Sequence, residues 1–595
     1  MKIKYLVAAS MIAFFAACSD EAVNPGHSGT ALSGEKGYVT LSINLPTEQG
    51  QGTRVADGES VDFNDGLPAE YEVNDASLLL FKGTSEADAT FASAYNLDVT
   101  GFANQSPADD NITSKATIVR EIVVPEMQDA ESIYALVIVN GNGLLTISGN
   151  GAAVNGTQLT TTTKFSDFVS MAQTFDNGSA AITDKGFFMS NAPLYSVPGG
   201  TVAPDGGSVS TLAEIDKEKI YSTQSEAAEK PAANIYVERA VAKVTVTADD
   251  KSSGIANPDI ASYTIEGWTL NVTNKKTYLV RNVSGADWWT YYSADATATD
   301  KYRFVGSTPV AAGLYRTYWG IDPNYSAYAA DFDVKSGQEI AASALTEANG
   351  STPLYCLENT FDIANMNENQ TTAVVVKAKL TLADGIAETD GSFYVLNDNP
   401  STLYKKEGVE NEVKRRLVKW IDENKGSYIE SGTIEGNKIS VTLSNASTGE
   451  GGYLTVTGVK VTDESGITWK SGMSLTEFNA AIAQNLTDII GSLAIGYYKE
   501  GETYYAIKLK HFGDTQTPWK ADGGESYEGN GAEKWLGRYG VLRNNWYDVT
   551  VSGIRNIGYP SVPDVNETPD DPESTYIAVT INILSWAKRT QSVEL

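Results

Sequence analysis

The sequence predicts a mainly β protein of two β-sandwich-like domains with a few short helices, plus a removable strand near the front and a donor strand at the back. Three observations lead there. Apolar, β-branched and aromatic runs bounded by turn residues recur along the chain, as in Ala76-Ser77-Leu78-Leu79-Leu80-Phe81 and Tyr134 to Val139. At 595 residues the chain is too long for one core. Two stretches at opposite ends also alternate apolar and polar residues with period two: Tyr38-Val39-Thr40-Leu41-Ser42-Ile43-Asn44-Leu45-Pro46 and Tyr576-Ile577-Ala578-Val579-Thr580-Ile581-Asn582-Ile583-Leu584. Each reads as a strand with one face for a core.

The N-terminus carries an export pattern. Met1-Lys2-Ile3-Lys4 supplies positive charge and Tyr5 to Phe15 an apolar stretch too short to span a bilayer. Phe15-Ala16-Ala17-Cys18 follows as a lipobox, so the Cys18 thiol is expected to take diacylglycerol, with palmitate among its acyl chains. Residues 19–36 are rich in Gly, Ser, Asn and acids and read as a leader. After the Tyr38–Leu45 strand, the Gly-rich stretch Thr47 to Gly58 should be exposed, where proteolytic nicking concentrates. Arg54 is the only arginine before Arg120, so an arginine-specific protease would cut here between Arg54 and Val55.

Further strands are expected at Ile118–Val124, Tyr263–Val272, Thr372–Leu382, Lys438–Leu443 and Tyr504–Leu509, with a long alternating segment from Ile235 to Val246. A helix is expected from Phe165 to Phe175. Val409, Val413, Leu417 and Ile421 form an apolar stripe at helical spacing, and Ser474-Leu475-Thr476-Glu477 is a capping box. Lys414-Arg415-Arg416 on the first of these helices reads as its wet face. Asp564 to Ser574 is acidic, contains Pro569 and Pro572, and forms a tether. A hydrophobic strand beyond a tether either folds back on its own domain or reaches another molecule.

Chemistry is scarce. The only histidines are His27, in the leader, and His511; the cysteines are Cys18 and Cys356. Cys356, inside Leu354-Tyr355-Cys356-Leu357, reads as a small core residue, and no disulfide framework is possible. No nucleophile elbow or phosphate loop is present. Asp62-Phe63-Asn64-Asp65-Gly66 is one residue short of a calcium loop and lacks its distal Glu. No catalytic, cofactor or metal residue is assigned, and the chain is read as a non-enzyme. The net charge of −31 opposes a nucleic-acid surface. Trp288, Trp289, Tyr291, Tyr292, Tyr315, Tyr318, Trp319, Tyr325 and Tyr328 form an aromatic cluster that suits core or loop packing better than sugar binding.

Four places resemble the major fimbrillins of the short-fimbria (Mfa-type) family, subunits of type V pili. They are the lipoprotein leader with its strand and Gly52-Thr53-Arg54; Val237-Glu238-Arg239-Ala240-Val241-Ala242; Val541-Leu542-Arg543-Asn544-Asn545-Trp546-Tyr547; and Val579 to Trp586 with the terminal Val593-Glu594-Leu595. Residues 55–230 match only in general character.

The resemblance implies two transthyretin-like sandwiches and the following division: 1–18 signal peptide, 19–54 propeptide with the removable strand, 55–234 N-terminal domain, 235–557 C-terminal domain, and 558–595 tether and donor strand. It also implies a pilus-shaft subunit supporting adhesion and biofilm formation. The precursor is held at the outer membrane by its lipid, cleaved after Arg54, and joined head-to-tail to copies of itself, with anchor and tip subunits as further partners. Val39, Leu41, Ile43 and Leu45 would be the residues of the removable strand; Ile577, Val579, Ile581, Ile583 and Trp586 those of the donor. Rival expectations are a tip or anchor subunit, or a surface glycan-binding lipoprotein that keeps its lipid.

Overall fold

The computed structural model describes residues 30–46, 67, 70, 72–104, 112–141, 143–174, 186–199, 207–248, 255, 257–283, 304–311, 313–324, 328–337, 339–445, 451–512 and 535–567, and the backbone of 577–584. Strands dominate, and the helices are few.

The first half forms a nine-stranded sheet. Its main strands are β1 (Lys36–Pro46), β2 (Ala76–Gly83), β3 (Thr90–Asn96), β4 (Phe102–Asn104), β5 (Ile112–Val123), β6 (Ser132–Val139), β7 (Met189–Asn191) and β8 (Ala233–Arg239). They run in the order β3-β2-β6-β7-β8-β1-β5-β4, with Ala213–Ile215 added to β6. β8 is the joint of this sheet. Its first half, Ala233 to Tyr236, pairs with β1, and its second half, Val237 to Arg239, pairs with β7. The two arms share one core, in which Val39, Leu41 and Ile43 of β1 meet Leu78, Leu80 and Phe81 of β2 and Ile118 and Ile122 of β5. The helix α1 (Gln224–Ala227) closes over β1 from outside, where the Thr40 hydroxyl donates to the Ala227 carbonyl at 2.6 Å.

The second half is a two-sheet sandwich. One sheet has the order β11-β9-β14-β15, from β9 (Val241–Ala248), β11 (Leu354–Leu357), β14 (Trp546–Ile554) and β15 (Ile577–Leu584). The other is β10 (Ile260–Asn271), β12 (Ala373–Leu382) and β13 (Glu502–Lys508). Val244 and Val246, Trp268 and Leu270, Val374 and Val376, Ile507, and Tyr547 and Val549 fill the space between them.

A third layer grows out of this sandwich between β12 and β13. A five-stranded sheet, in which Phe393–Leu396, Gly452–Val461 and Ile495–Tyr498 are central, packs under α2 (Lys406–Tyr428) and α3 (Leu475–Gln484). Val409, Val413, Leu417 and Ile421, four apart, form one buried stripe of α2, as their spacing requires. Of the basic triplet, expected as that helix's wet face, only Arg415 is exposed: Arg415 and Arg416 both bond Glu412, Lys414 lies 3.8 Å from Glu410, and the half-buried Arg416 also donates to the Ile490 carbonyl. Ser474 caps α3, its hydroxyl accepting from Thr476 N and donating to Glu477.

Two expectations change. The Phe165 helix stops at Val169, because Ala172–Thr174 is drawn into a strand pair with Lys276–Tyr278. The Ile235–Val246 segment is two strands rather than one, and the chain crosses between sheets at Ala240 rather than after residue 234. Leu417→Ala should cost about 2–5 kcal/mol by opening a cavity under α2, read as a lower denaturant midpoint for the transition of this layer.

Candidate functional site

β1 is an interior strand. It runs antiparallel to β5 along its whole length, from Lys36 opposite Val123 to Pro46 opposite Ile112. On its other edge it runs parallel to β8, with Leu41 opposite Ala233 and Asn44 opposite Tyr236. Farther along that edge Tyr38 exchanges backbone hydrogen bonds with Tyr221, at 2.7 and 3.0 Å. Period-two alternation puts Val39, Leu41 and Ile43 on the core face, each at most 1% exposed.

The opposite face is buried as well. Thr40, Ser42 and Asn44 are at most 2% exposed. The Asn44 amide donates to the Ile235 and Ser42 carbonyls, both at 3.3 Å. Nearer the surface the Tyr38 hydroxyl donates to Glu121 at 2.9 Å, and Lys36 lies 3.0 Å from the same carboxylate. Hydrogen bonds from Lys36, and then from Tyr38, hold the Glu121 carboxyl below its usual range. Gly37 has no room for a side chain, since a Cβ there would lie 2.7 Å from Ala31 Cβ and 2.8 Å from Ile220 Cγ2. Burial of the three apolar side chains contributes roughly 5–9 kcal/mol as an upper bound. β1 thus fills a slot that would be open on two edges and two faces without it.

β15 occupies the other extreme. Among the described residues it is an edge strand with a single ladder, antiparallel to β14: Ile577 is opposite Ile554, Val579 opposite Val551, Ile581 opposite Val549 and Ile583 opposite Tyr547. The strand therefore folds back on its own sandwich in this structure. Leu45 lies on β1 opposite Ser114. Cys18, Arg54, Val55 and Trp586 lie outside the described residues.

Sequence reasoning missed what joins the two halves. Glu238 and Arg239 close β8, and Arg543-Asn544 precedes β14, with all four side chains buried. Arg281 Nη2 lies 2.9 Å from Glu238 and its Nε 3.4 Å from Glu358. Arg543 Nε is 3.2 Å from Glu358 and 4.0 Å from Glu238, and its Nη2 donates to Thr277 Oγ1 at 3.0 Å. Burial pushes the Glu238 carboxyl up, against the opposing pull of Arg281 and then Arg543. Beside this cluster Arg239 donates to the Glu70 carbonyl at 2.7 Å and to Asn544 Oδ1 at 3.0 Å. The Glu70 carboxylate takes Lys243 at 2.7 Å and the Tyr355 hydroxyl at 2.5 Å. Asn544 sits at φ 59°, a left-handed turn that asparagine tolerates better than most residues. One signal was available: successive strand residues point to opposite faces, so adjacent charges inside an apolar strand put one charge inward, where it needs a partner.

Other chemistry is structural. His511 is buried, its Nδ1 2.8 Å from the Tyr547 hydroxyl. Burial pushes the Cys356 thiol up to about 12. Among the described residues no group of three or more His, Cys, Asp or Glu side chains is placed to hold a metal, and no helix is long and apolar enough to cross a membrane. Tyr318 and Trp319 of the aromatic cluster are core residues, Trp319 packing on Phe304, Phe361 and Phe512.

Residues 496–592 match the family model described as major fimbrial subunit protein type IV, fimbrillin, C-terminal. This part of the chain is similar to the C-terminal region of the fimbrillins. The fimbrillin match takes in β13, the Arg543-Asn544 turn, β14 and β15. No curated protein matches the chain. Among solved structures, the fimbrilin FimA from Porphyromonas gingivalis W83 aligns at 10% identity over 93% of this chain and 99% of that one, with a TM-score of 0.36. The tip fimbrial protein Mfa3 from Porphyromonas gingivalis, with C-terminal truncation, aligns at 11% identity over 92% and 99%, with a TM-score of 0.28. The fimbrial anchor protein Mfa2 from the same organism aligns at 14% identity over 42% and 65%, with a TM-score of 0.18.

Removing one member of the buried network strands its partners. Arg543→Ala should cost about 3–5 kcal/mol, measured as a fall in the urea midpoint of the purified protein.

Proposed function

We propose that this chain is a shaft subunit of a surface fimbria that assembles by strand transfer. It is exported with lipid on Cys18 and held at the outer membrane, self-complemented by β1 and inert. An arginine-specific protease cuts between Arg54 and Val55, and β1 leaves. The C-terminal strand of another copy then enters the slot between β8 and β5. The contact is heterologous and open, so it builds a filament rather than a ring. Anchor and tip subunits would complete the fimbria, whose role is adhesion and biofilm formation. Nothing in this reading calls for catalysis or a cofactor.

The observation that carries it is the contrast between two strands of like sequence. Among the described residues β1 is paired on both edges, whereas β15 is paired on one. Loss of β1 removes burial comparable to a domain's whole stability of about 5–15 kcal/mol, so an empty slot is strongly driven to refill. A strand leaving the edge position gives up one ladder and gains two. The fimbrillin match over residues 496–592 supports the same reading. The glycan-binding alternative loses Tyr318 and Trp319, which lie in the core.

The test is the N-terminal sequence of protein recovered from the cell surface. A start at Val55 is expected; a lipidated Cys18 would instead make it an anchor subunit or a retained lipoprotein. Arg54→Ala should leave unpolymerised lipoprotein at the membrane, and normal filaments from that variant would sink the cleavage step. Truncation after Asp571 should permit processing and abolish polymer growth, read by electron microscopy and by ladders on mild-denaturant gels.

A further inference from the structure

We propose that the incoming strand enters the slot in a single register, with Tyr576 in the place of Tyr38 and Asn582 in the place of Asn44, and that this tyrosine–asparagine pair sets the register. The inference rests on the strand-transfer reading above.

The slot fixes direction first, because its occupant must run parallel to β8 and antiparallel to β5. The alternation fixes parity, since a slip of one residue exchanges the apolar and polar faces. Among the registers that remain, the proposed one sets Ile577, Val579, Ile581 and Ile583 where Val39, Leu41, Ile43 and Leu45 stand, and Ala578, Thr580 and Asn582 where Thr40, Ser42 and Asn44 stand. Tyrosine and asparagine have the same spacing in both strands. The incoming tyrosine would meet Glu121 and the incoming amide the Ile235 carbonyl, as Tyr38 and Asn44 do in β1.

A shift of two residues fails in either direction. One way, Ile577 falls at Gly37, where a Cβ would stand 2.8 Å from Ile220 Cγ2 and 3.3 Å from Val124 Cγ2. Both of those residues stay behind after cleavage. The same shift puts Ala578 opposite Glu121 and Leu584 where the Asn44 amide donates. The other way, Thr575 replaces Val39 and Tyr576 replaces Thr40, two positions that are 0% exposed.

The proposed register has one mismatch on the buried polar face. Ala578 lacks the hydroxyl with which Thr40 donates to the Ala227 carbonyl, but that carbonyl also accepts from Lys230 N at 3.4 Å. Thr575 would fall at Gly37, so pairing begins at Tyr576 and the tether ends there.

Cysteine pairs across the ladder between subunits read the register directly. Ser42 is opposite Thr117 on β5, and Thr117 is exposed. Directly opposed strand residues are about 4.5–5.5 Å apart, within disulfide reach. Full-length Thr117→Cys is combined in turn with Ala578→Cys, Thr580→Cys and Asn582→Cys, processed, assembled and mildly oxidised. The Thr117→Cys/Thr580→Cys protein should give a covalent ladder of subunits. Predominant bonding with Asn582→Cys or Ala578→Cys would overturn the register and leave strand transfer standing. Filaments that form without a bond in any pair would overturn strand transfer itself. Separately, Asn582→Leu should lower the polymer yield at fixed subunit concentration about tenfold, as for one hydrogen bond to a buried group left unmade. Wild-type yield from Asn582→Leu would show that the amide is not part of the key.

Discussion

The N-terminal half depends on one strand near the chain's start that is enclosed on four sides. β5 and β8 pair with the two edges of β1, the common core takes Val39, Leu41 and Ile43, α1 lies over Thr40, and Ser42 and Asn44 on that same face are buried too. A surface strand can be lost at modest cost; an interior one cannot, because its departure cuts the sheet between β8 and β5. The position explains why the buried polar face is so selective. An Asn amide in such a place must find its carbonyl, and any apolar replacement leaves a polar group unserved.

The ion network ties that slot to the rest of the chain. β8 holds β1 with its first half and ends in Glu238 and Arg239, which reach Arg281, Glu70 and Asn544. Arg543 and Asn544 lead directly into β14, the partner of β15. Buried ion pairs are weak as net stabilisers but costly to break, so the cluster makes separation of the halves expensive without adding much to their association. Hydrogen bonds to Thr277 and Tyr355 satisfy donors and acceptors that a single ion pair would leave bare.

The long strands were legible because their alternation or their apolar runs survive in the sequence, as at β2, β6 and β12. The α2 stripe and the Ser474 cap were legible for the same reason: each is a local pattern with one physical interpretation. The break at Ala240 was not, because Val237 to Val246 continues a strand pattern straight through the point where the chain changes sheets. Pairing partners are equally invisible to periodicity. Nothing local in Tyr38 to Pro46 distinguishes an interior strand from an edge strand, although the buried Thr, Ser and Asn become intelligible once both faces are known to be covered. The ion network was hidden because Glu70, Glu238, Arg281, Glu358 and Arg543 are far apart in sequence: Glu238-Arg239 inside an apolar strand signals a buried charge, but nothing local names its partners.

Under the proposed assembly, the same parts would carry load in a filament. A subunit is pulled at the slot by the strand it has received, and at its own C-terminus by the strand it has given. Force entering at β5 and β8 is borne in shear by ladders whose hydrogen bonds lie across the pull, which must fail together rather than one by one. From β8 it passes through Glu238 and Arg239 to the turn before β14, and so toward the tether. Buried ion pairs that are costly to break therefore lie on the line between the two ends. That placement gives a physical reason for charges at a junction where apolar packing would have held the halves together equally well at rest: an ion pair with a missing partner is penalised at the first displacement, whereas an apolar contact yields gradually.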